Sequence, residues 1–413
     1  MGNKRSLLKP SLLSAALSLA VLTMGGAGMV STVVAAEAKK QSVSAEVAKQ
    51  LKPAQDAIQK GDFDAAIPLA KAGLAASKTS YDKETSLRML GFALGKKQDF
   101  VGYAEVLEQL NELDTVPVEE KNKNYKPLSQ IYGQQKQYDK ALAAANKWAE
   151  TGGGSEAYAM LSTIYLIQKD YKNGVVALEK SMEGREPTEA ELKQQNFCYY
   201  TLQDKAKRMA VMEELLAKFP KRDYYTDLLN VYVEQGFNER VRIQLYRYGL
   251  ERDYLSRESE YVEFSDSLNN IGAPAEALKV MQKGIDSGAV KVLSATDRNS
   301  KLLAAAKQGA AEDRKDIPKQ AKEVEARKNG EADVKLGLAY LSLGDTEHAI
   351  EALSRGLSAE RVKDVKNVDD AYMTLGIAYL RSGKKAEAAK AFEAAKANPQ
   401  MAKAAALWLT LTT

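Results

Sequence analysis

The side chains that most often carry chemistry in proteins are scarce in this sequence. Its 413 residues include one histidine, His348, and one cysteine, Cys198, which lie 150 positions apart. Metal sites built from His and Cys need several ligands at short spacings. We therefore predict no metal site and no cofactor. His348 is interpreted as a solvated surface residue, and Cys198 as a small buried helix residue.

Other catalytic patterns are also missing. The sequence contains no Walker-type phosphate loop, no G-x-S-x-G elbow and no G-x-G-x-x-G after a predicted strand. Its glycine run, TGGGSE at 151–156, lies between two predicted helices, so we expect a flexible connector with Ser155 as the helix N-cap. The adjacent Asp369 and Asp370 are explained by the start of a helix. We predict that the protein is not an enzyme.

The residues that recur at fixed spacing are small or aromatic instead. KLGLAYLSLGDTEHAIEAL at 335–353 returns 39 positions later as TLGIAYLRSGKKAEAAKAF at 374–392. The same frame recurs upstream, for example with Tyr132 and Tyr165, which are 33 positions apart. Self-similarity at this period is typical of repeat architectures.

At these positions the chain resembles the tetratricopeptide repeat (TPR) family, whose unit is a helix–turn–helix of 34 residues. The resemblance implies an all-α solenoid, a right-handed superhelix of antiparallel helix pairs, with about ten units from about residue 45 onward. Small residues should lie where paired helices approach closely, and tyrosines should fill the space beside them. These structural positions are Gly337, Tyr340, Ala349, Gly376, Tyr379 and Ala388. Gly344 and Gly383 should occupy the turns, where a positive φ can be needed.

The first residues indicate export. Lys4, Arg5 and Lys9 precede a long uncharged stretch that ends in small residues, which is typical of a signal peptide cleaved near Ala36. An uncleaved leader that anchors the chain in the inner membrane is the alternative. Without the leader the formal charge falls from +4 to about +1. The charges are scattered, so we predict no nucleic-acid partner and membrane contact only through other proteins.

We divide the chain into a signal peptide at 1–36, a TPR-like solenoid at 37–290, a degenerate helical repeat at 291–329, and a C-terminal TPR pair with a capping helix at 330–413. In stacked helix pairs the first helices line a groove that can bind a protein or peptide. The candidate groove residues are Lys126, Gln130, Asn230, Asp266, Asn270, Leu338 and Ile377.

Two stretches leave alternatives open. The apolar groove positions near the C-terminus would suit an amphipathic partner helix, or they are covered by the terminal helix that contains Leu407, Trp408 and Leu411. YRYGLERDYLSRESEY at 246–261 mixes tyrosine and arginine as binding hot spots do, or it packs in the core with a solvated charged face.

Over its full length, the sequence is similar to periplasmic TPR proteins associated with the TonB–ExbB–ExbD system. That resemblance implies a scaffold or adaptor in energy transduction and uptake, with TonB, ExbB or ExbD as partners. The alternative is a periplasmic assembly or chaperone factor for envelope proteins or cell-wall enzymes. The residues themselves support an exported protein-binding solenoid.

Overall fold

The computed structural model describes residues 42–413 except residue 293, so the predicted leader lies outside the described residues. In the described part every regular element is a helix, as predicted. None of these helices is long and apolar enough to span a membrane. The chain divides into two compact units, Met1–Gln203 (unit 1) and Asp204–Thr413 (unit 2). The predicted boundaries near 290 and 330 both fall within unit 2.

Unit 1 consists of four helix hairpins followed by one further helix. Its helices are α1 (Ala45–Gln59), α2 (Phe63–Ala76), α3 (Ser80–Lys97), α4 (Phe100–Glu112), α5 (Val118–Gln134), α6 (Tyr138–Trp148), α7 (Gly154–Ile167), α8 (Tyr171–Met182) and α9 (Glu189–Thr201). A π-helical turn at Ala149–Gly153 joins α6 to α7.

Unit 2 contains four helix hairpins and three other helices. Its helices are α10 (Lys205–Lys218), α11 (Arg222–Glu234), α12 (Glu239–Glu251), α13 (Glu258–Asn270), α14 (Pro274–Asp286), α15 (Arg298–Arg327), α16 (Gly330–Leu343), α17 (Thr346–Gly356), α18 (Val368–Arg381), α19 (Lys385–Ala395) and α20 (Pro399–Leu409). The region predicted as a degenerate repeat at 291–329 therefore forms one 30-residue helix, α15, rather than a helix pair.

One residue in each of the eight hairpin turns has left-handed backbone geometry, as does Gln203 after α9, and we call these nine residues the turn residues. The turn residues are Gly61, Gln98, Lys136, Lys169, Gln203, Gly236, Gly272, Gly344 and Gly383, with φ between 58° and 89°. The next backbone N–H donates to a carbonyl five residues earlier, for example Asp345 to Tyr340 at 2.9 Å. This bond closes the end of the first helix. The prediction for Gly344 and Gly383 is confirmed.

Aspartate often follows the turn residue and starts the second helix. The carboxylates of Asp62, Asp99, Asp170 and Asp345 each accept a hydrogen bond from the backbone N–H three residues later. Such caps satisfy an amide that the helix leaves unpaired. The turn residue and the cap together fix where the first helix ends and the second begins, and hence the register of each hairpin.

Close helix packing at the predicted glycines explains their identity. A Cβ on Gly337 would lie 2.5 Å from Cγ of Leu353 and 3.1 Å from the carbonyl oxygen of Ala349. A Cβ on Gly376 would lie 2.4 Å from Cε1 of Phe392. The expected approach of Gly337 to Ala349 is therefore present, while the neighbour closest to Gly376 is Phe392.

The C-terminal helix closes unit 2. Trp408 of α20 is fully buried, and its indole Nε1 donates to the carbonyl oxygen of Gln244 in α12 at 2.9 Å. The Nε2 of Gln244 donates to Oδ1 of Asp370 in α18 at 2.7 Å. Leu407, Trp408 and the predicted groove residue Ile377 of α18 belong to one buried cluster with α12. The alternative in which the C-terminal apolar face is covered is therefore the one observed, with α12 covering it as well as α20.

Candidate interaction surface

Counting back from the turn residues allows equivalent positions on different helices to be compared. The residue six positions before the turn residue occupies the equivalent place on the first helix of each hairpin and on α9, and we call this set the central row. In unit 1 it consists of Gln55, Phe92, Gln130, Thr163 and Phe197, and in unit 2 of Asn230, Asp266, Leu338 and Ile377. Five of the seven predicted groove residues fall in this row.

In unit 1 the side chains of the central row are exposed or half-buried, and we call this surface the open face. Phe92 and Phe197 are each 39% exposed, which is unusual for phenylalanine, and Gln130 and Thr163 between them are half-buried. The Phe197 ring meets the ring of Tyr171 edge to face, with 5.7 Å between centroids. An exposed aromatic at each end of a polar stretch is a feature of binding surfaces.

A second set of residues lies one helical turn earlier, ten positions before the turn residue, and we call it the flanking row. On α3, α5, α7 and α9 it consists of Arg88, Lys126, Ala159 and Lys193. Residues four apart share one side of a helix. The open face of unit 1 therefore carries three cations beside two phenylalanines, and no acid stands in either row on these four helices.

Surface ion pairs join neighbouring first helices across this face. Arg88 Nη2 pairs with Glu84 on its own helix at 2.7 Å, and the same guanidinium pairs with Glu120 of α5. Lys126 Nζ pairs with Glu156 of α7 and also lies over the Trp148 ring, 5.2 Å from its centroid. These pairs link each flanking cation to the first turns of the next first helix along the chain.

The predicted groove residues at the start of unit 2 lie at or near the surface. Asn230 is half-buried, and its Oδ1 accepts a hydrogen bond from Arg257 at 3.5 Å. Asp266 is half-buried and pairs with Arg298 of α15 at 3.6 Å. Asn270 is exposed. Their side chains are accessible, but two of the three already have partners within the unit.

The groove predictions for the last two hairpins need correction. Ile377 is fully buried in the unit 2 core, and Leu338 is partly buried against the same cluster. Ile377 is therefore a core residue that no partner can reach in this structure. The reason is the packing of α12 and α20, which a repeat pattern within residues 330–413 does not reveal.

The tyrosine- and arginine-rich stretch at 246–261 is core as well. Tyr246, Tyr248 and Tyr261 are each less than 5% exposed. Arg247 is 0% exposed and pairs with Glu276, which also accepts a hydrogen bond from Arg381 at 3.1 Å. The packing interpretation of this stretch is therefore the observed one, except that Arg247 is buried in an ion pair where a solvated charged face was expected.

The residues considered at the outset for chemistry are at the surface, buried in the core or at helix starts. His348 is exposed, and the Asp345 carboxylate, which accepts a hydrogen bond from its Nδ1 at 2.7 Å, raises its pKa. Burial raises the pKa of Cys198 to about 11. Ser155 is not an N-cap: it lies inside α7, and its Oγ donates to the carbonyl oxygen of Ser181. Asp369 and Asp370 start α18 as predicted.

No group of three or more His, Cys, Asp or Glu side chains among the described residues is placed to hold a metal ion. Sequence reasoning missed Arg88, Phe92, Lys193 and Phe197. The turn residues after α3 and α9 are glutamines, Gln98 and Gln203, so these helices lack the glycine that marks the turn elsewhere. The aspartates that follow these glutamines, Asp99 and Asp204, cap the next helix and could have indicated where the turns lie.

Comparison with known families identifies the repeats. Residues 334–402 match a family model described as tetratricopeptide repeat, and residues 155–183 match a second model with the same description. These stretches correspond to the hairpins α16 to α19 and to α7 with α8. No curated protein matches the chain.

Several solved structures align with part of the chain at low TM-scores. A tetratricopeptide repeat protein from Parabacteroides merdae ATCC 43184 is 13% identical, with 64% of this chain and 99% of that chain covered and a TM-score of 0.31. MamA from Desulfovibrio magneticus RS-1 is 14% identical, with coverages of 47% and 99% and a TM-score of 0.30. Naa15/Naa10 bound to HypK-THB is 18% identical, with a TM-score of 0.35; the match covers 85% of this chain and 53% of that one. At these identities and TM-scores we draw no conclusion about this chain from the three structures.

Proposed function

We propose that this chain, which contains tetratricopeptide repeats at residues 155–183 and 334–402, is an exported scaffold that binds protein partners through the open face of unit 1. The observation that carries the proposal is the central row on α3, α5, α7 and α9. It presents Phe92, Gln130, Thr163 and Phe197 on rigid helices, with cations beside them. Such a surface supports recognition by shape, stacking and charge, and it provides no acid–base pair or nucleophile for catalysis.

The proposed compartment is the periplasm. Support comes from the sequence of residues 1–36, where basic residues precede a long uncharged stretch. On this proposal the mature chain begins after Ala36. Retention of the leader would instead anchor the chain in the inner membrane.

Within the periplasm we propose a role as a component of a TonB-type energy-transduction and uptake system. The support is the resemblance of the whole sequence to periplasmic repeat proteins of that system. TonB, ExbB or ExbD would then be the partners, and a scaffold would connect them to further envelope proteins.

The test is photo-crosslinking in cells. A photoreactive phenylalanine analogue replaces Phe92, which is on the open face, and in a matched control it replaces Val101, which is 56% exposed on the second helix α4. Crosslinked proteins are identified by mass spectrometry. Recovery of TonB or ExbD at position 92 only is the expected result.

Two other outcomes are decisive. Equal crosslinking at positions 92 and 101 would rule out the open face as the binding surface. Recovery of outer-membrane barrels or cell-wall synthases would replace the TonB role with that of an assembly or chaperone factor. N-terminal sequencing of the purified protein, from fractionated cells, tests export and cleavage near Ala36 separately.

A further inference from the structure

We infer that α20 is an exchangeable latch on unit 2, and that a partner helix with the same pattern of side chains can take its place. The helix lies against α10, α12, α18 and α19, and we call the surface under it the α20 groove. This groove is a different surface from the open face of unit 1. Either proposal can therefore fail while the other stands.

The polar contacts of α20 reach back to the first helices of unit 2. Lys403 Nζ pairs with Glu213 of α10 at 2.8 Å, across 190 positions of sequence. Gln400 Oε1 accepts a hydrogen bond from the side chain of Asn238, the N-cap of α12, at 2.9 Å. Helices in a repeat array mainly contact their neighbours in sequence. The contacts of α20 with α10 and α12 instead close unit 2 on itself.

One side of α20 supplies the apolar contacts. Its buried residues follow the spacing i, i+3, i+4 and i+7 of an amphipathic helix, and they are Met401, Ala404, Ala405 and Trp408. Ala406, on the other side, is exposed. The helix that fits the α20 groove therefore has small residues in the middle of its apolar side and one large ring near its end.

The α20 groove contains a socket for an indole. The Trp408 ring centroid lies 5.6 Å from that of Phe392 in α19 and 6.0 Å from that of Tyr248 in α12. Its Nε1 donates to the carbonyl oxygen of Gln244 at 2.9 Å. An indole buries a large apolar surface and has one N–H that needs an acceptor. Aromatic walls with one carbonyl oxygen satisfy both needs, so the partner helix should carry a tryptophan here.

The carboxylate of Glu213 selects a cation five positions before that tryptophan. Its side chain is 19% exposed, and its Oε1 accepts a hydrogen bond from the hydroxyl of Tyr232 at 2.7 Å. The second oxygen, Oε2, is the one that pairs with Lys403. A carboxylate held in this way favours a lysine or arginine on the occupant. The occupant is therefore an amphipathic helix with a cation and a tryptophan five residues apart.

The start of α20 is fixed by residues of its own segment. Asn398 accepts hydrogen bonds from the backbone N–H groups of Gln400 at 2.9 Å and Met401 at 3.3 Å. Pro399, the first residue of α20, prevents continuation of α19. A separate peptide with these residues can form the same cap. The ion pair and the side-chain hydrogen bond to α10 and α12 are partly exposed, so each holds α20 only weakly.

The experiment measures binding of a peptide copy of α20 to the full mature chain. The probe is a peptide of residues 397–413 with fluorescein at its N-terminus, followed by fluorescence anisotropy. The control is the same peptide with Trp408→Ala. We expect the unchanged peptide to bind at least about tenfold more tightly than the control, because only its indole fills the socket.

Substitutions on the two sides of one ion pair distinguish an exchangeable latch from a fixed cap. Lys403→Gln in the chain loosens the attached helix but leaves Glu213 available to the lysine of the peptide, so the peptide should bind about twofold to fivefold more tightly. Glu213→Gln removes the pair for both helices and should change the affinity by less than about twofold. Lys396→Gln, at the exposed pair with Glu393, is the matched control and should have no effect.

A covalent lock supplies the converse test. Asn238→Cys and Gln400→Cys, whose native side chains are in contact, are joined by a short bismaleimide crosslinker in a Cys198→Ala background. The same chain before crosslinking is the control. Crosslinking should abolish peptide binding, because the attached α20 can then no longer leave the groove. Circular dichroism confirms that each variant is folded.

The inference is overturned if the peptide does not bind the uncrosslinked chain, or if it binds the crosslinked chain equally well. It is also overturned if the Trp408→Ala peptide binds as tightly as the unchanged one, or if Lys403→Gln and Glu213→Gln have the same effect. These measurements concern unit 2 alone. The scaffold function is tested separately by the crosslinks at position 92 of unit 1.

Discussion

Arg247 and Glu276 form a salt bridge of 2.7 Å between Nη2 and Oε2, with only 1% and 4% of their side chains exposed. Arg381 shares the same carboxylate, and it also pairs with Glu251 at 2.8 Å. The cluster joins α12, α14 and α18. Removal of one partner would leave a buried charge without compensation.

We therefore expect Glu276→Gln to lower the free energy of unfolding of unit 2 by about 3–5 kcal/mol. Urea unfolding at pH 7 in a Trp148→Phe background, where Trp408 is the remaining tryptophan, measures the change by fluorescence. Asp253→Asn, at the exposed pair with Lys283 in the same unit, is the matched control and should cost about 1 kcal/mol or less. Equal effects of the two substitutions would contradict the structural role of the buried cluster.

The same carboxylate should make stability depend on pH. Burial alone would raise the pKa of Glu276, but the charges of Arg247 and Arg381 and their hydrogen bonds lower it to about 2. A depressed pKa contributes stability above the unfolded value of about 4.5, and this contribution is lost as the pH falls from there toward 2.

Between pH 5 and pH 3 the free energy of unfolding of the wild type should therefore fall more steeply than that of Glu276→Gln. Urea titrations at intervals of half a pH unit measure both curves. Parallel curves over this range would show that Glu276 is not the group responsible.

Replacing a lysine that has left-handed backbone geometry by glycine should stabilise the protein. Lys169 has φ of 62°, a region that costs a side chain about 1 kcal/mol and costs glycine little. We expect Lys169→Gly to raise the free energy of unfolding by up to about 1 kcal/mol, net of the greater freedom of glycine in the unfolded chain. Thermal unfolding measures it.

The matched control is Lys71→Gly inside α2, where helical geometry makes glycine unfavourable by about 1 kcal/mol. Gly383→Ala, at φ of 80°, should likewise destabilise. If Lys169→Gly destabilised as much as Lys71→Gly, the left-handed geometry at position 169 would be wrong.

Two residues of the central row should respond differently to truncation. Ile377→Ala removes buried apolar volume and should cost about 2–5 kcal/mol. Gln130→Ala, at the half-buried equivalent position in unit 1, should change stability by about 0.5 kcal/mol or less. Chemical denaturation compares the two. A small cost at position 377 would mean that its side chain is accessible after all.

The lone thiol should be inert in the folded protein. Cys198 is 0% exposed, and burial raises its pKa to about 11, so almost no thiolate is present at pH 8. Reaction with a thiol reagent such as DTNB should be slow in buffer and rapid in urea. Since the chain has no other cysteine, the whole signal belongs to this residue. Fast reaction without urea would contradict the burial of α9.

The repeat pattern was sufficient to predict the local structure. Gly337 approaches Ala349, and Gly344 and Gly383 adopt positive φ, because these features are fixed by contacts within one helix hairpin. Local interactions leave a direct trace in the sequence. The fold class and the structural role of these positions followed from that trace.

Contacts distant in sequence could not be predicted in the same way. Gln244 bonds to Asp370, 126 residues later, and to Trp408, 164 residues later. Each hairpin has the same internal pattern whether its outer surface faces water or another helix. From the sequence, Ile377 and the tyrosines at 246–261 could therefore either bind a partner or pack in the core. The position of α12 decides between these two interpretations.

The hydrogen bond between Trp408 and the backbone of Gln244 affects the order in which the helices of unit 2 can fold. Hairpins stabilised by their immediate neighbours can form one after another as the chain emerges. Unit 2 cannot complete its core until α20 is available, because α20 supplies part of it. A chain without α20 would leave α12 with an uncovered apolar side, so the earlier helices of unit 2 have to wait for this helix before their core can close.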